Sequence, residues 1–266
     1  MNQKITVVGA GKMATAISLG LVAKGYAHDE IHAYDVSPDA ARIYRETTGC
    51  TVHATMADAL AGTDIVLLAV KPQYAPAALA EAKSLIAGRL VISIVAGMKL
   101  DTLKNLSGCS RIVRVMPNTP ALVRQGMSCF AVSPDVSAAD KELAESILSS
   151  FGLVREVPES LMDAVTGLSG SGPAYVIEFI LGLAEGGVYC GLPRDLALQS
   201  AIQTVLGTAL MCKQNPASVE ALRNAVITPN GTTARGIHVL DQAGFRGTLE
   251  NCVIAAAERS AELGKK

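Results

Sequence analysis

The apolar positions of this chain change their spacing near residue 157. Before it they fall in short β-branched or aliphatic runs: Ile5 to Val8, Ile31 to Tyr34, Asp64 to Val70, Leu90 to Val95 and Arg111 to Val115, with Thr51 to His53 as a shorter member. Runs of that length and composition predict strands covered on both faces. The stretches between them, such as Met13 to Lys24, Ser37 to Arg42 and Gln73 to Ala87, carry helical spacing. Strands alternating with helices predict a doubly wound parallel sheet. Met127 to Ser133, Val136 to Ser150 and Gly152 to Val157 add a strand, a helix and a strand. From Pro158 onward the period is helical throughout: Glu159 to Thr166, Pro173 to Tyr189, Leu196 to Lys213, Val219 to Val226, Thr232 to Gln242 and Phe245 to Leu263. The expected class is α/β, an N-terminal Rossmann-like, mostly parallel sheet over residues 1–157 followed by an all-helical domain over residues 158–266.

Several of the later helices are apolar on more than one face, and half of all residues are hydrophobic, with only 4% aromatics and no Trp. Mean hydropathy is +0.34. Small aliphatic side chains must do the packing, and no stretch approaches the 18 apolar residues of a membrane span. The surplus apolar surface is therefore expected to meet a second subunit in an obligate oligomer. Net charge is −1, from 23 basic and 24 acidic residues, which excludes the basic footprint of a nucleic-acid binder or of an anionic-membrane binder. The N-terminus reads directly into a strand without a signal-peptide pattern, so the expected location is the cytoplasm. Six scattered cysteines without a C-x-x-C pair and four dispersed histidines point to reduced thiols and no metal.

The chemistry begins at the first strand. Gly9, Gly11 and Ala14 follow Ile5 to Val8 in the Gly-x-Gly-x-x-Gly/Ala spacing. Gly9 permits the tight bend, Gly11 the approach of a pyrophosphate to the backbone, and Ala14 close packing of the next helix, whose free amides favour phosphate. Asp35 ends the second strand, where an acid hydrogen-bonds the ribose hydroxyls of a dinucleotide. It is alternatively a plain turn residue, with Ser37, Arg42 or Lys12 meeting a ribose phosphate. Lys71-Pro72 closes the fourth strand at the carboxyl edge where ligands bind in such sheets, so Lys71 is either a ligand neighbour or a solvated cation. Ala96-Gly97 closes the fifth. The sixth runs into M-P-N-T-P, where two prolines flank Asn118 and Thr119 in a rigid loop.

In the helical half, T-G-L-S-G-S-G-P-A-Y over Thr166 to Tyr175 and I-T-P-N-G-T-T over Ile227 to Thr233 interrupt the periodicity. The first is a glycine-rich junction with Pro173 at a first-turn position. The second combines helix-start amides with the hydroxyls of Thr228, Thr232 and Thr233, a small uncharged cradle for an anion. Ordinary N-capping would need one hydroxyl, not three.

Together, V-V-G-A-G-K-M-A, A-V-K-P, R-V-M-P-N-T-P-A-L-V, G-L-S-G-S-G-P-A-Y, G-L-P-R and T-P-N-G-T-T make the chain resemble pyrroline-5-carboxylate reductase over nearly its whole length. The resemblance implies reduction of pyrroline-5-carboxylate to proline with NADPH, NADH being the alternative, by a homodimer or dimer-based oligomer. It places Gly9, Ala10, Gly11, Lys12, Met13 and Ala14 at the pyrophosphate and Ser37, beside Asp35, at the adenosine ribose. Ala69, Val70, Lys71, Pro72, Ala96 and Gly97 would follow the ribose and nicotinamide, bordered by Asn118 and Thr119. Thr228, Gly231, Thr232 and Thr233 would receive the substrate, with Thr233 and Lys71 as candidate catalytic residues. The chain departs from the family in reading Pro229-Asn230-Gly231 for Pro-Gly-Gly and Arg223-Asn224 for Lys-Asp, and its segment from Asn215 to Glu220 is longer. Asn tolerates positive φ better than other non-glycine residues, so the turn is expected to survive. A β-hydroxyacid dehydrogenase would need a lysine on the Pro173 to Tyr189 helix, which has none. A non-catalytic dinucleotide-binding regulator would not need three threonines around Gly231.

Overall fold

The computed structural model describes residues 3–264, apart from the side chain of Ala217; the outermost residues of the two expected domains, 1–2 and 265–266, lie outside it. Eight strands form one sheet: β1 (Ile5–Val8), β2 (Ile31–Tyr34), β3 (Thr51–Val52), β4 (Ile65–Leu68), β5 (Leu90–Ser93), β6 (Ile112–Met116), β7 (Gly126–Val132) and β8 (Gly152–Glu156). Their order is β3-β2-β1-β4-β5-β6-β7-β8, parallel except where β7 runs against β6. Val8 is in register with Tyr34 on one side and Leu68 on the other, and Leu68 with Ser93. Four strands therefore stop at one level. The turns that follow them, at Gly9, Asp35, Ala69 and Ile94, emerge along a single edge.

The α-helices of this part are α1 (Lys12–Ala23), α2 (Pro38–Thr48), α3 (Met56–Leu60), α4 (Ala75–Ala82), α5 (Leu100–Ser107), α6 (Ala138–Leu148) and α7 (Met162–Val165). Alternation along each strand divides the buried side chains between two cores. Ile5, Val7, Ile65 and Leu67 face one, with Ile17, Leu21 and Tyr44 from α1 and α2 and Ala144 and Ile147 from α6. Val8, Val66, Leu68 and Val91 face the other, with Met56 and Leu60 from α3, Leu79 from α4 and Leu103 from α5. Helices on both faces are what strands apolar on both sides require. The strand-helix-strand addition read from residues 127–157 joins the sheet as β7, α6 and β8.

Two elements differ from the sequence reading. The helix expected over Gln73 to Ala87 is a 3-10 turn, Pro72–Tyr74, followed by the shorter α4; Pro72 and Pro76 confine their rings to first-turn positions. The junction expected from Thr166 remains helical, as a π-helical turn over Thr166–Gly170. Thr166 and Ser169 hydroxyls donate to the carbonyls of Met162 and Val165, at 2.8 and 3.0 Å, and Gly170 gives the Met116 side chain its place.

The chain groups into two compact units. The first runs to Gly170 and takes back the chain from Ala256 onward; the second is Ser171–Ala255. The returning segment is the end of a long last helix and is held by a 2.6 Å hydrogen bond from the Ser260 hydroxyl to Asp163. Within the second unit lie α8 (Gly172–Tyr189), α9 (Arg194–Gln214), α10 (Val219–Ala225), α11 (Thr232–Gln242) and the start of α12 (Phe245–Leu263). Its described residues bury only Ala184, Ala197 and Ala201, while side chains such as Ile177, Leu196, Ile202 and Leu210 stay half exposed. No described helix is long and apolar enough to cross a membrane.

The sequence treats the histidines as dispersed, but the β2–β3 pairing brings two of them together. His32 Nδ1 lies 2.6 Å from His53 Nε2 with the rings stacked. Burial, then the charges of Lys4 and His53, push the His32 pKa below its ordinary value against the opposing pull of Asp29. Its unfolded value is about 6.5, so the unfolded chain binds the proton more readily. Stability is therefore unaffected above about pH 6.5 and is lost as pH falls below it through the depressed folded value. Thermal melts between pH 7.5 and 5.5 are expected to show a falling midpoint, with a shallower fall in His32→Gln.

Candidate active site

The edge where β1, β2 and β4 stop carries a cavity of about 490 Å³. Gly9 turns the chain off β1 with φ +100°, a conformation side chains avoid. Its amide donates to Tyr34 at 2.8 Å, and a Cβ there would sit 2.8 Å from the Ala69 carbonyl oxygen. No other residue fits. Gly11 is different, because a Cβ on it would meet nothing within 4 Å. It starts α1 with no side-chain cap, so the first amides of that helix have no internal partner. Open space beside uncapped amides is what a pyrophosphate requires. Ala14 is fully buried against the sheet, and Met13 packs on the core.

Asp35 joins the two sides of this turn. One carboxylate oxygen accepts the Ala10 amide at 2.7 Å and the other the Ser37 amide at 2.8 Å. The Ser37 hydroxyl caps α2 by accepting the Ala40 amide at 3.3 Å. Asp35 is thus more than a turn residue, for it clamps the glycine turn to the end of β2. Arg42, one alternative phosphate partner, is engaged with Glu46 and Asp39.

Gly9, Gly11, Asp35, Ser37, Ala69, Val70 and Lys71 all line the cavity, and Lys71 is the one cation among the described lining residues. Ala96, Gly97 and Asn118 do not line it. Gly97 has φ +73° and faces Leu263 and Gly264 instead. The Asn118 side chain is engaged at both ends, donating to the Ser169 carbonyl at 3.0 Å and accepting the Met127 amide at 2.8 Å. It ties the M-P-N-T-P loop to the π-helical turn and to β7. Sequence reading missed Met56, Tyr74, Ala77, Ala78 and Glu81, which line the same cavity. The signal was the spacing 74, 77, 78, 81, one face of a helical period.

The threonine loop belongs to the second unit. The Gly231 amide donates to the Thr228 carbonyl at 3.0 Å, closing a tight turn over Pro229 and Asn230. Asn230 has φ +55°, so it takes the left-handed position where the family carries glycine, as a type II turn demands. Gly231 begins α11 with no side-chain cap, and a Cβ on it would collide with the Thr228 hydroxyl. Ordinary capping therefore does not explain the three threonines. The first amides of α11 and the hydroxyls of Thr228, Thr232 and Thr233 have no partners among the described residues. Among the same residues no group of three or more His, Cys, Asp or Glu is placed to hold a metal ion. Cys50, Cys109 and Cys129 are buried free thiols, and burial raises their pKa values.

Comparison with known proteins covers both parts of the chain. The model of the pyrroline-5-carboxylate reductase dimerisation family matches residues 159–263, and that of coenzyme F420-dependent NADP oxidoreductases matches residues 4–97. Pyrroline-5-carboxylate reductase of Methanosarcina acetivorans is 44% identical, covering 100% of this chain and 99% of that one. The chain belongs to the pyrroline-5-carboxylate reductase family. A reductase structure from Coxiella burnetii superposes with a TM-score of 0.93 at 35% identity over the whole of both chains. One from Plasmodium falciparum, with NADP bound, gives 0.90 at 32% identity over 99% of this chain and 98% of that one.

The Asp35 clamp makes a testable point. Asp35→Ala removes the shared acceptor of two amides and a negative charge beside the ribose position. It is expected to weaken NADH binding about tenfold, the worth of a charged hydrogen bond, and to shift the preference toward NADPH. Titration with each dinucleotide measures both effects; unchanged dissociation constants would refute the clamp.

Proposed function

We propose that the chain reduces pyrroline-5-carboxylate to proline, with NADPH as hydride donor and NADH as the alternative, and that it does so in the cytoplasm as a homodimer or dimer-based oligomer. Family membership supports the reaction, and the observation that carries the site assignment is the start of α11, where uncapped amides meet three unpartnered threonine hydroxyls. The substrate is a small ring with one carboxylate and an imine. It needs an anion cradle and a hydrogen-bond partner for nitrogen, and nothing in its reduction calls for a nucleophile.

The bound dinucleotide supplies the hydride. The residues that fit it are Gly9 and Gly11 of the cavity, with the uncapped first amides of α1 that follow from Lys12 to Ala14, at the pyrophosphate, Asp35 and Ser37 at the ribose, and Ala69, Val70 and Lys71 along the cavity as well. Lys71 offsets the phosphate charge. That placement supports a cofactor-binding role for Lys71 more directly than a part in proton transfer. Pro72 fixes the turn behind it, and Ala96, Gly97 and the M-P-N-T-P loop with Asn118 and Thr119 remain the proposed nicotinamide border.

On the substrate side, the free amides of Thr232 and Thr233, beyond the turn that the Gly231 amide closes, hold the carboxylate at the positive end of α11, with the Thr228 and Thr232 hydroxyls beside it. The Thr233 hydroxyl hydrogen-bonds the ring nitrogen, fixing which face of the imine is presented. A protonated imine is already electrophilic, so orientation supplies most of the catalysis; positioning of this kind is worth roughly 7–11 kcal/mol at best. The second unit's exposed apolar helices, with only three alanines buried among its described residues, support the dimer, since a unit of that composition has little interior of its own.

Thr233→Val keeps the shape and removes the hydroxyl. Turnover is expected to fall ten- to a hundredfold, equivalent to about 1.4–2.7 kcal/mol, while the dissociation constant of NADPH stays unchanged. Steady-state kinetics beside cofactor titration checks this, and an unchanged rate would remove Thr233 from the mechanism.

A further inference from the structure

The cavity described above extends past the residues that the glycine turn and the end of β2 supply. Its far wall is the face of the turn and helix after β4 on which Tyr74, Ala77, Ala78 and Glu81 follow one another at helical spacing. Ala75, Leu79 and Ala82 on the adjoining face are buried in the core, with Ala78 packed beside them, so the rotation of this segment is set and the 74/77/78/81 face is left to the cavity. Met56, which is 2% exposed, and Val36, which is 81% exposed, line the same cavity. Ala96 and Gly97, on the nicotinamide side, are not part of this lining. The cavity is therefore the adenosine half of the dinucleotide site, and the slot beyond Asp35 and Ser37 is where the base lies.

The chemistry of that slot is uneven. Ala77, Ala78, Met56 and the Tyr74 ring give the lining an apolar, partly aromatic surface, which suits the face of a purine. One lining group, the exposed Glu81, is a strong acceptor with no protein donor among the described residues. The Glu81 carboxylate has no hydrogen-bond or ion-pair partner among the described residues, and a carboxylate accepts only. Adenine's donor is its exocyclic amine, whereas hypoxanthine carries a carbonyl oxygen at that exocyclic position and has its base donor on the ring, at N1. We propose that Glu81 accepts a hydrogen bond from the exocyclic amine of the cofactor's adenine and so makes the slot selective for an adenine over a 6-oxopurine dinucleotide. This rests on the dinucleotide reading of the cleft. A solvated acid on a helix surface would make no such distinction, since it would affect both bases alike.

The test is equilibrium binding of NADP and of nicotinamide hypoxanthine dinucleotide phosphate by calorimetry, with no substrate and no turnover. The wild-type chain is expected to bind the adenine form about tenfold more tightly, since a hydrogen bond to a charged group is exchanged for two opposed acceptors. Glu81→Ala is expected to lose affinity for the adenine form alone, bringing the ratio near one. Glu81→Gln, whose amide both accepts and donates, is expected to keep the adenine form and gain the hypoxanthine form. Equal affinities in the wild type, or a ratio that survives Glu81→Ala, would overturn the role of Glu81 while leaving the dinucleotide site intact. Failure of the wild type to bind either compound would overturn the dinucleotide reading and the proposal with it.

Discussion

Everything at the edge of the sheet depends on how closely the chain can turn after β1. Val8 is level with the last residues of β2 and β4, and the carbonyl of Ala69 stands where a side chain on Gly9 would have to go. A bulkier residue would push α1 away from the sheet, and with it the uncapped amides beside Gly11. The bend is held from the other side by Asp35, which takes the amides of both Ala10 and Ser37. Local backbone geometry, side-chain hydrogen bonding and strand register thus converge on one turn. The shape of the cofactor cleft follows from them.

The threonine loop solves a similar problem with other residues. There the left-handed position is taken by Asn230 and the close approach by Gly231, whose missing side chain leaves room for the Thr228 hydroxyl. The first glycine of the family's Pro-Gly-Gly is replaced by Asn230 without loss of the turn, because Asn reaches the left-handed conformation that the position demands. Both loops lead into helices whose first amides no side chain caps. In each the helix forgoes the stabilisation of a cap, worth about 1 kcal/mol. The proposed anion sites use the donors left free in this way.

The parts legible in the sequence were those set by local rules. The strand runs, the glycine spacing, the Ser37 cap followed by Pro38 and the helical second half need only near neighbours to be recognised. What escaped depends on strand order. Tyr74, Ala77, Ala78 and Glu81 read as an unremarkable stretch of helix until β4 is seen beside β1, which turns their face toward the cleft. Asn118 was legible as a loop residue, but its partner Ser169 is 51 residues away, and no spacing announces that bond. His32 and His53 looked dispersed because only the β2–β3 register brings them together. The π-helical turn at Thr166 was read as a break, since glycine and serine usually end helices and the bonds from Thr166 and Ser169 back to earlier carbonyls are not visible in composition.

The helical unit, with three alanines as the buried ones among its described residues, has a kinetic consequence for the proposed dimer. A chain emerging from the ribosome can complete its sheet alone, because both cores of the first unit are built from its own residues. The described residues of the second unit supply little interior for a unimolecular collapse. In the proposed dimer, maturation is an encounter reaction, whose speed follows the concentration of half-finished chains. Until that encounter the exposed leucines and isoleucines of α8 and α9 are open to unrelated apolar surfaces, so scarcity of the protein itself is a hazard to its folding.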